Sequence, residues 1–218
     1  MNSDAAAPTC SPSPESWGFA EDYAPISEEL RQARDDATLA GLSTISPGVA
    51  ATLTMLAATT QARAVVEIGT MMGASALAFF AGMARDGILT SIDAEPEHQL
   101  PARQHLAKAG ITSSRFRLIA GSPIDVLPKL RDGAYDIVFV NGDKLEYVEY
   151  VAAGLRLLRH GGLLLVHDVL WHDTVADADA DGDETIIIRE ALQAVTESES
   201  YTQALLPVGN GLLVAVKD

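Results

Sequence analysis

Residues 64–75 read Ala64-Val65-Val66-Glu67-Ile68-Gly69-Thr70-Met71-Met72-Gly73-Ala74-Ser75. A short apolar run enters two closely spaced glycines, and a helical pattern from Ser75 to Arg85 follows at once. This is the signature of a buried strand, a tight turn and a helix whose first N–H groups face that turn, where an anionic group can bind. Similar apolar runs recur at Ile88 to Asp93, Phe116 to Ile119, Tyr135 to Val140 and Leu163 to Val166. Helical patterns fall between them, at Glu97 to Ala109, Ile124 to Leu130 and Glu146 to Leu158. Five such alternations predict a parallel sheet covered on both faces. Gly110 and the pair Gly161-Gly162 are placed as helix stops. Pro101 is compatible with its helix only if that helix starts near Glu97 to Leu100, where the missing N–H had no partner anyway.

The two ends differ from the middle. Residues 1 to 22 carry Pro8, Pro12 and Pro14 among Ser, Ala and acids, and are expected to be a disordered lead-in to a single domain over residues 23–218. Ile26 to Leu39 is helical with one charged face, and Ser46-Pro47 predicts an N-cap followed by proline at the first helical position. Glu184 to Val195 is a further helix. Tyr201 to Leu206 and Leu212 to Val216 then flank Gly209-Asn210-Gly211, a hairpin turn. The expected architecture is α/β and doubly wound: a mostly parallel seven-stranded sheet closed by a C-terminal antiparallel hairpin edge.

Composition narrows the function classes. With 218 residues and 48% hydrophobic content, the chain suits one domain with a sizeable core. Lys and Arg total 15 against 30 Asp and Glu, for a net charge of −15, so no nucleic-acid partner is expected. The uncharged stretch Ala37 to Ala62 is too rich in Ser, Thr and Gln to be a membrane span. Cys10 is the single cysteine, which agrees with a reducing cytoplasm, and no secretory signal is read at the start.

Ligands of open parallel sheets sit beyond the carboxyl ends of the strands. The residues there are Gly69 to Ser75, Asp93, Gly121-Ser122, Asn141 to Lys144, and His167-Asp168. Asp93 follows Gly69 by 24 residues, placing an acid where it can take two ribose hydroxyls. Met71 occupies the slot that a dinucleotide turn gives to its second glycine, which opposes NAD. Glu67 suits a ligand with a positive end, such as S-adenosylmethionine. A tight strand–helix turn with no ligand also explains the glycines.

These stretches, taken in order, resemble the class I S-adenosylmethionine-dependent O-methyltransferases of the catechol and caffeoyl-CoA type. The resemblance runs from about Ser43 to the C-terminus. It rests on Ile45-Ser46-Pro47, Val66 to Thr70 with Gly73 and Ser75, Ser91-Ile92-Asp93 with Pro96-Glu97, and Tyr135 to Val140. It continues through Asp143-Lys144 with Tyr147 and Tyr150, Gly161-Gly162, Leu170-Trp171 and Leu206 to Leu212. It implies a Rossmann-like fold, a small hydroxylated acceptor and a homodimer. It also implies roles for individual residues. The Ile45 backbone, Glu67, Gly69, Thr70, Gly73 and Ser75 would hold the methionine part of the cofactor. Asp93 would take the ribose, Ala94 would lie beside the adenine, and Gly121 and Ser122 would line its pocket. Asn141 matches an aspartate that touches both cofactor and metal, and Lys144 matches a general base.

The departures lie at the metal. Where the family has an aspartate and then an Asp-Asn pair, this chain has Asn141, His167 and Asp168. That set carries one formal negative charge with His167 neutral, which makes magnesium doubtful, since Mg²⁺ prefers carboxylate oxygens. Asn141 and His167 can equally well be hydrogen-bonding groups at strand ends. Trp171 is either a lid over a flat substrate or packing. Asp177, Asp179, Asp181 and Gly182 mimic the start of a calcium loop, but Ile188 falls where the closing acid belongs. Two other readings stay open: a cofactor-binding module without catalysis, and an NAD-dependent oxidoreductase.

Overall fold

The computed structural model describes residues 12–218. Residues 1–11, with Pro8 and Cys10, lie outside the described residues. Among the described residues, eight α-helices and seven strands follow in the order α1 (Pro14–Glu21), α2 (Glu28–Leu39), α3 (Pro47–Thr59), β1 (Ala64–Ile68), α4 (Ala74–Gly82), β2 (Ile88–Asp93), α5 (Gln99–Lys108) and β3 (Phe116–Ala120). Then come α6 (Pro123–Val126), β4 (Tyr135–Val140), α7 (Tyr147–Leu157), β5 (Leu158–His167), α8 (Asp183–Thr196), β6 (Tyr201–Leu206) and β7 (Leu212–Lys217).

The sheet order is β3-β2-β1-β4-β5-β7-β6. β1 pairs in parallel with both β2 and β4, and β4 with β5, while β7 runs antiparallel to β5 and β6. The chain therefore leaves β1 toward one edge and returns on its other side. The crevice between the ends of β1 and β4 is the topological switch point.

Alternation along the strands sorts two cores. Val65, Ile137, Phe139, Leu163 and Leu165 pack with α2, α3 and α4 on one face, around Leu30, Val49, Leu53 and Phe79. Val66, Val138, Val140, Leu164 and Val166 pack with α7 and α8 on the other, around Tyr147, Tyr150, Ile188 and Val195. Both faces are covered, so the strands read as nearly continuous apolar runs.

Local signals work as the chemistry requires. The Ser46 hydroxyl accepts from the Val49 N–H at 3.1 Å and caps α3, with Pro47 at its first position. Pro101 falls in the first turn of α5. Beyond the end of α5, the Gly110 N–H donates to the Ala107 carbonyl and the Ile111 N–H to Leu106.

Two expectations fail. Gly161-Gly162 do not stop a helix: α7 ends at Leu157, and β5 runs through both glycines. Gly161 has φ +71, and the pairing register between β4 and β5 shifts between Tyr135 and Ile137, so the pair serves an irregularity in a strand longer than its apolar stretch. The lead-in, expected to lack structure through residue 22, contains α1 at Pro14–Glu21. The Glu21 carboxylate at its end accepts from the Ser46 hydroxyl at 2.6 Å, the Gly48 N–H at 3.0 Å and the Gly209 N–H. Among the described residues, no helix is long and apolar enough to cross a membrane.

Candidate active site

The turn after β1 is built around a missing side chain. Gly69 has φ +94, and a Cβ there would lie 2.2 Å from the Asn141 carbonyl oxygen, so only glycine lets the loops after β1 and β4 meet. The Gly69 N–H donates to the Ile92 carbonyl at 2.8 Å, and the Asn141 N–H donates to the Ile68 carbonyl at 2.8 Å. Three adjacent strand ends are thereby locked together.

Asp93, at the end of β2, is buried and organises that turn. One carboxylate oxygen accepts from the Thr70 and Met71 N–H groups at 2.8 and 3.0 Å, and the other from the Glu95 N–H at 2.9 Å. His98 Nδ1 stands 3.1 Å from both oxygens.

A cavity of about 300 Å³ opens here. Four residues expected from the sequence lie in its wall: Gly69, Asp93, Ala94 and Ser122. Met71 lines it too, with φ +46, so the residue in the dinucleotide glycine slot faces the ligand space. The remaining wall includes Glu95, His98, Asp143, Glu146 and Tyr150. Among the described residues, none that lines it is a lysine or arginine.

The other expected cofactor residues are not in this wall. Glu67, Thr70 and Ser75 form a buried layer beneath the turn. Glu67 accepts from the Ser75 and Ser91 hydroxyls, each at 2.5 Å, and Ser91 lies 2.7 Å from the Thr70 hydroxyl. Burial raises the Glu67 carboxyl to about 7; the two serines oppose the shift and the nearby Asp93 adds to it. Gly73 is the N-cap residue just before α4, Gly121 has φ +153, and the Ile45 carbonyl accepts from Arg34 Nε at 2.9 Å.

A second cluster lies at the ends of β4 and β5. Asn141 is buried, and its side-chain amide oxygen Oδ1 accepts from His167 Nδ1 at 2.8 Å. Burial holds His167 well below the ordinary histidine range; Asp168 opposes this and Lys144 reinforces it, so the ring is neutral near pH 7. Asp168 forms an ion pair with Lys144 at 3.3 Å and accepts from the Asn210 amide. The Lys144 ammonium lies 4.9 Å from the centre of the Tyr147 ring and 5.4 Å from that of Trp171. Burial lowers the Lys144 pKa, and Asp168 pulls it back up. The Tyr147 hydroxyl donates to the His167 carbonyl at 2.9 Å and fixes the end of β5. Trp171 is partly buried against the core, whereas His172 is exposed.

The three positions considered for a metal therefore divide into two contacts, Asn141 with His167 and Asp168 with Lys144. Asn141 Oδ1 is taken by His167 Nδ1, and the single carboxylate, Asp168, already holds a cation. Among the described residues, no three His, Cys, Asp or Glu side chains gather to hold an ion. The donors do not fit magnesium.

Sequence reasoning missed His98, Glu95, Glu146 and Arg189. His98 lies five residues beyond Asp93, and only the short turn at Pro96–His98 brings it back over the carboxylate. Arg189 on α8 donates to the carbonyls of Thr174, Val175, Asp177 and Ala180, which folds the acidic segment into a clamped set of turns.

Comparison with known proteins agrees with this architecture. The model of a family described as O-methyltransferase matches residues 19–218. A protein of Mycobacterium tuberculosis named Probable O-methyltransferase Rv1220c is 45% identical over 204 residues, covering 93% of this chain and 90% of the relative. A crystal structure of a Corynebacterium glutamicum protein superposes with TM-score 0.85 at 32% identity, covering 91% of this chain and 94% of that one. The O-methyltransferase TomG from Streptomyces achromogenes, involved in tomaymycin synthesis and solved in complex with SAM, gives TM-score 0.83 at 26% identity over 92% and 94% of the two chains. A family match that spans the whole described fold apart from its first few residues, joined to a 45% identical relative, shows that the chain belongs to the O-methyltransferase family.

Proposed function

We propose that the protein transfers a methyl group from S-adenosylmethionine to the hydroxyl of a small phenolic or catechol-like acceptor. The observation that carries the reading is the charge of the cavity wall. Asp93, Glu95, Asp143 and Glu146 face a space in which no lining lysine or arginine is present among the described residues. A dinucleotide brings a pyrophosphate, and two like charges in such a wall would be repelled. S-adenosylmethionine brings a sulfonium and an ammonium, which the same wall attracts. The structure of TomG with SAM, on the same fold, supports this choice over NAD.

Asp93 is read as the ribose-binding group, because its carboxylate stands at the cavity edge in a turn already fixed by three backbone N–H groups. Gly69 gives the backbone approach, and Ala94 and Ser122 flank the adenine space. Glu67, Thr70 and Ser75 act from below, by holding the turn in shape. When bound, S-adenosylmethionine supplies an electrophilic methyl carbon. The protein's own contribution is positioning and exclusion of water, which can be worth several kcal/mol, roughly 7 or more in good cases.

The test is calorimetry with S-adenosylhomocysteine and NAD, followed by transfer of a labelled methyl group to a panel of phenols. The reading expects heat with the first ligand alone, and labelled ether with at least one phenol. Heat with NAD alone would reject it. Binding without turnover across the panel would favour a cofactor-binding module instead.

A further inference from the structure

The family resemblance places a divalent cation at Asn141, His167 and Asp168, yet the structure places a cation there by another route. The Asp168 carboxylate is 3.3 Å from the Lys144 ammonium, and both side chains are nearly buried, at 8% and 11% exposure. The second Asp168 oxygen accepts from Asn210 on the β6–β7 hairpin loop. Tyr147 and Trp171 present their rings to the same ammonium. The backbone beside it is unusual: Asp168, Trp171, His172 and Asp173 all have positive φ, at 65, 43, 56 and 67°. Four strained non-glycine residues within six positions mark a segment held in place by its surroundings.

We propose that the Lys144 ammonium is the resident cation of this site, replacing the divalent ion, and that it binds the acceptor oxygen while the acceptor ring lies against Trp171. This rests on the methyltransferase reading above. The acceptor binds as its oxyanion, having released its hydroxyl proton to water. The O–CH₃ bond then forms as the S–CH₃ bond breaks, and the electron pair stays on sulfur. Lys144 keeps its protons throughout, so it acts by holding charge and not as a base. A single ammonium does not chelate, so a second, adjacent hydroxyl is not needed. The acceptors accordingly include monohydroxy phenols.

The experiment uses the full chain saturated with S-adenosylhomocysteine, whose binding heat reports an intact cofactor site. MgCl₂ is titrated into this complex, and 4-nitrophenol is added separately at a pH below its own pKa while its phenolate band is recorded. The wild type is expected to give no Mg²⁺ heat and to lower the probe's apparent pKa by about one unit or more. Lys144→Met should lose that shift, and Lys144→Arg should keep much of it. The triple variant Asn141→Asp, His167→Asp, Lys144→Ala should give a Mg²⁺ binding heat that the wild type lacks. Mg²⁺ heat in the wild-type complex, or a phenolate band equal in wild type and Lys144→Met, overturns the proposal. Absence of S-adenosylhomocysteine heat in the wild type instead rejects the cofactor assignment on which it rests.

Discussion

Glu67 is a fully buried carboxyl whose only polar partners among the described residues are the Ser75 and Ser91 hydroxyls, and its pKa is raised from 4.5 to about 7. The folded state therefore holds a proton that the unfolded chain releases at lower pH. The sign follows from linkage: with its folded value raised, the group's contribution is fully present below pH 4.5 and is lost as pH rises through about 7. The interval from 4.5 to about 7 corresponds to about 3 kcal/mol. Glu67→Gln mimics the protonated form, and the Ser91–Thr70 hydroxyl pair can reverse its direction to accept the new amide. The variant should match wild type near pH 4.5 and become more stable at pH 8 by about 3 kcal/mol, or roughly 6 to 12 °C in midpoint for a domain of this size. Thermal unfolding of ligand-free protein at several pH values, followed by circular dichroism, measures this. His167 works in the opposite sense: its lowered folded value removes stability as pH falls below the unfolded value of 6.5. The wild-type curve alone is therefore ambiguous, and the difference between the two proteins is the quantity to read. A difference that does not change between pH 4.5 and 8 would refute the buried-acid argument.

Other substitutions probe separate parts of the structure. Gly69→Ala drives a Cβ to 2.2 Å from the Asn141 carbonyl at φ +94 and should cost about 3 kcal/mol or more, read by urea unfolding. Glu21→Ala removes the acceptor shared by Ser46, Gly48 and Gly209; it should destabilise by about 1 to 3 kcal/mol and speed proteolytic cleavage within α1. Arg189→Ala strips the donors from four carbonyls of the acidic segment, and cleavage between residues 173 and 182 should accelerate while the S-adenosylhomocysteine heat is unchanged.

The sheet was legible because its strands are buried on both faces, and Val65 to Ile68 or Ile137 to Val140 announce themselves as apolar runs. The turn after β1 was legible for the same local reason, since Gly69 and Gly73 adjoin a strand and a helix. Asp93 could be placed because parallel sheets bring strand ends to one rim. What escaped depends on distant partners. Nothing in Pro14 to Glu21 announces that its final carboxylate will meet Ser46, Gly48 and Gly209. Gly161-Gly162 carry the composition of a stop but sit in a strand, because the ladder with β4 tolerates an irregularity there. Lys144 and Asp168 lie on different strand-end loops, and the pairing that separates an ammonium site from a metal site exists only once β4 and β5 are adjacent.

On the proposed reading, the cavity at the ends of β1, β2 and β4 takes the nucleoside of a methyl donor through Asp93. Titrating S-adenosylhomocysteine into wild type and Asp93→Asn in parallel tests it most directly. One site is expected in the wild type and binding at least about 10-fold weaker in the variant, from the loss of a charged hydrogen-bond acceptor. Equal affinities, or no heat from the wild type, would contradict it.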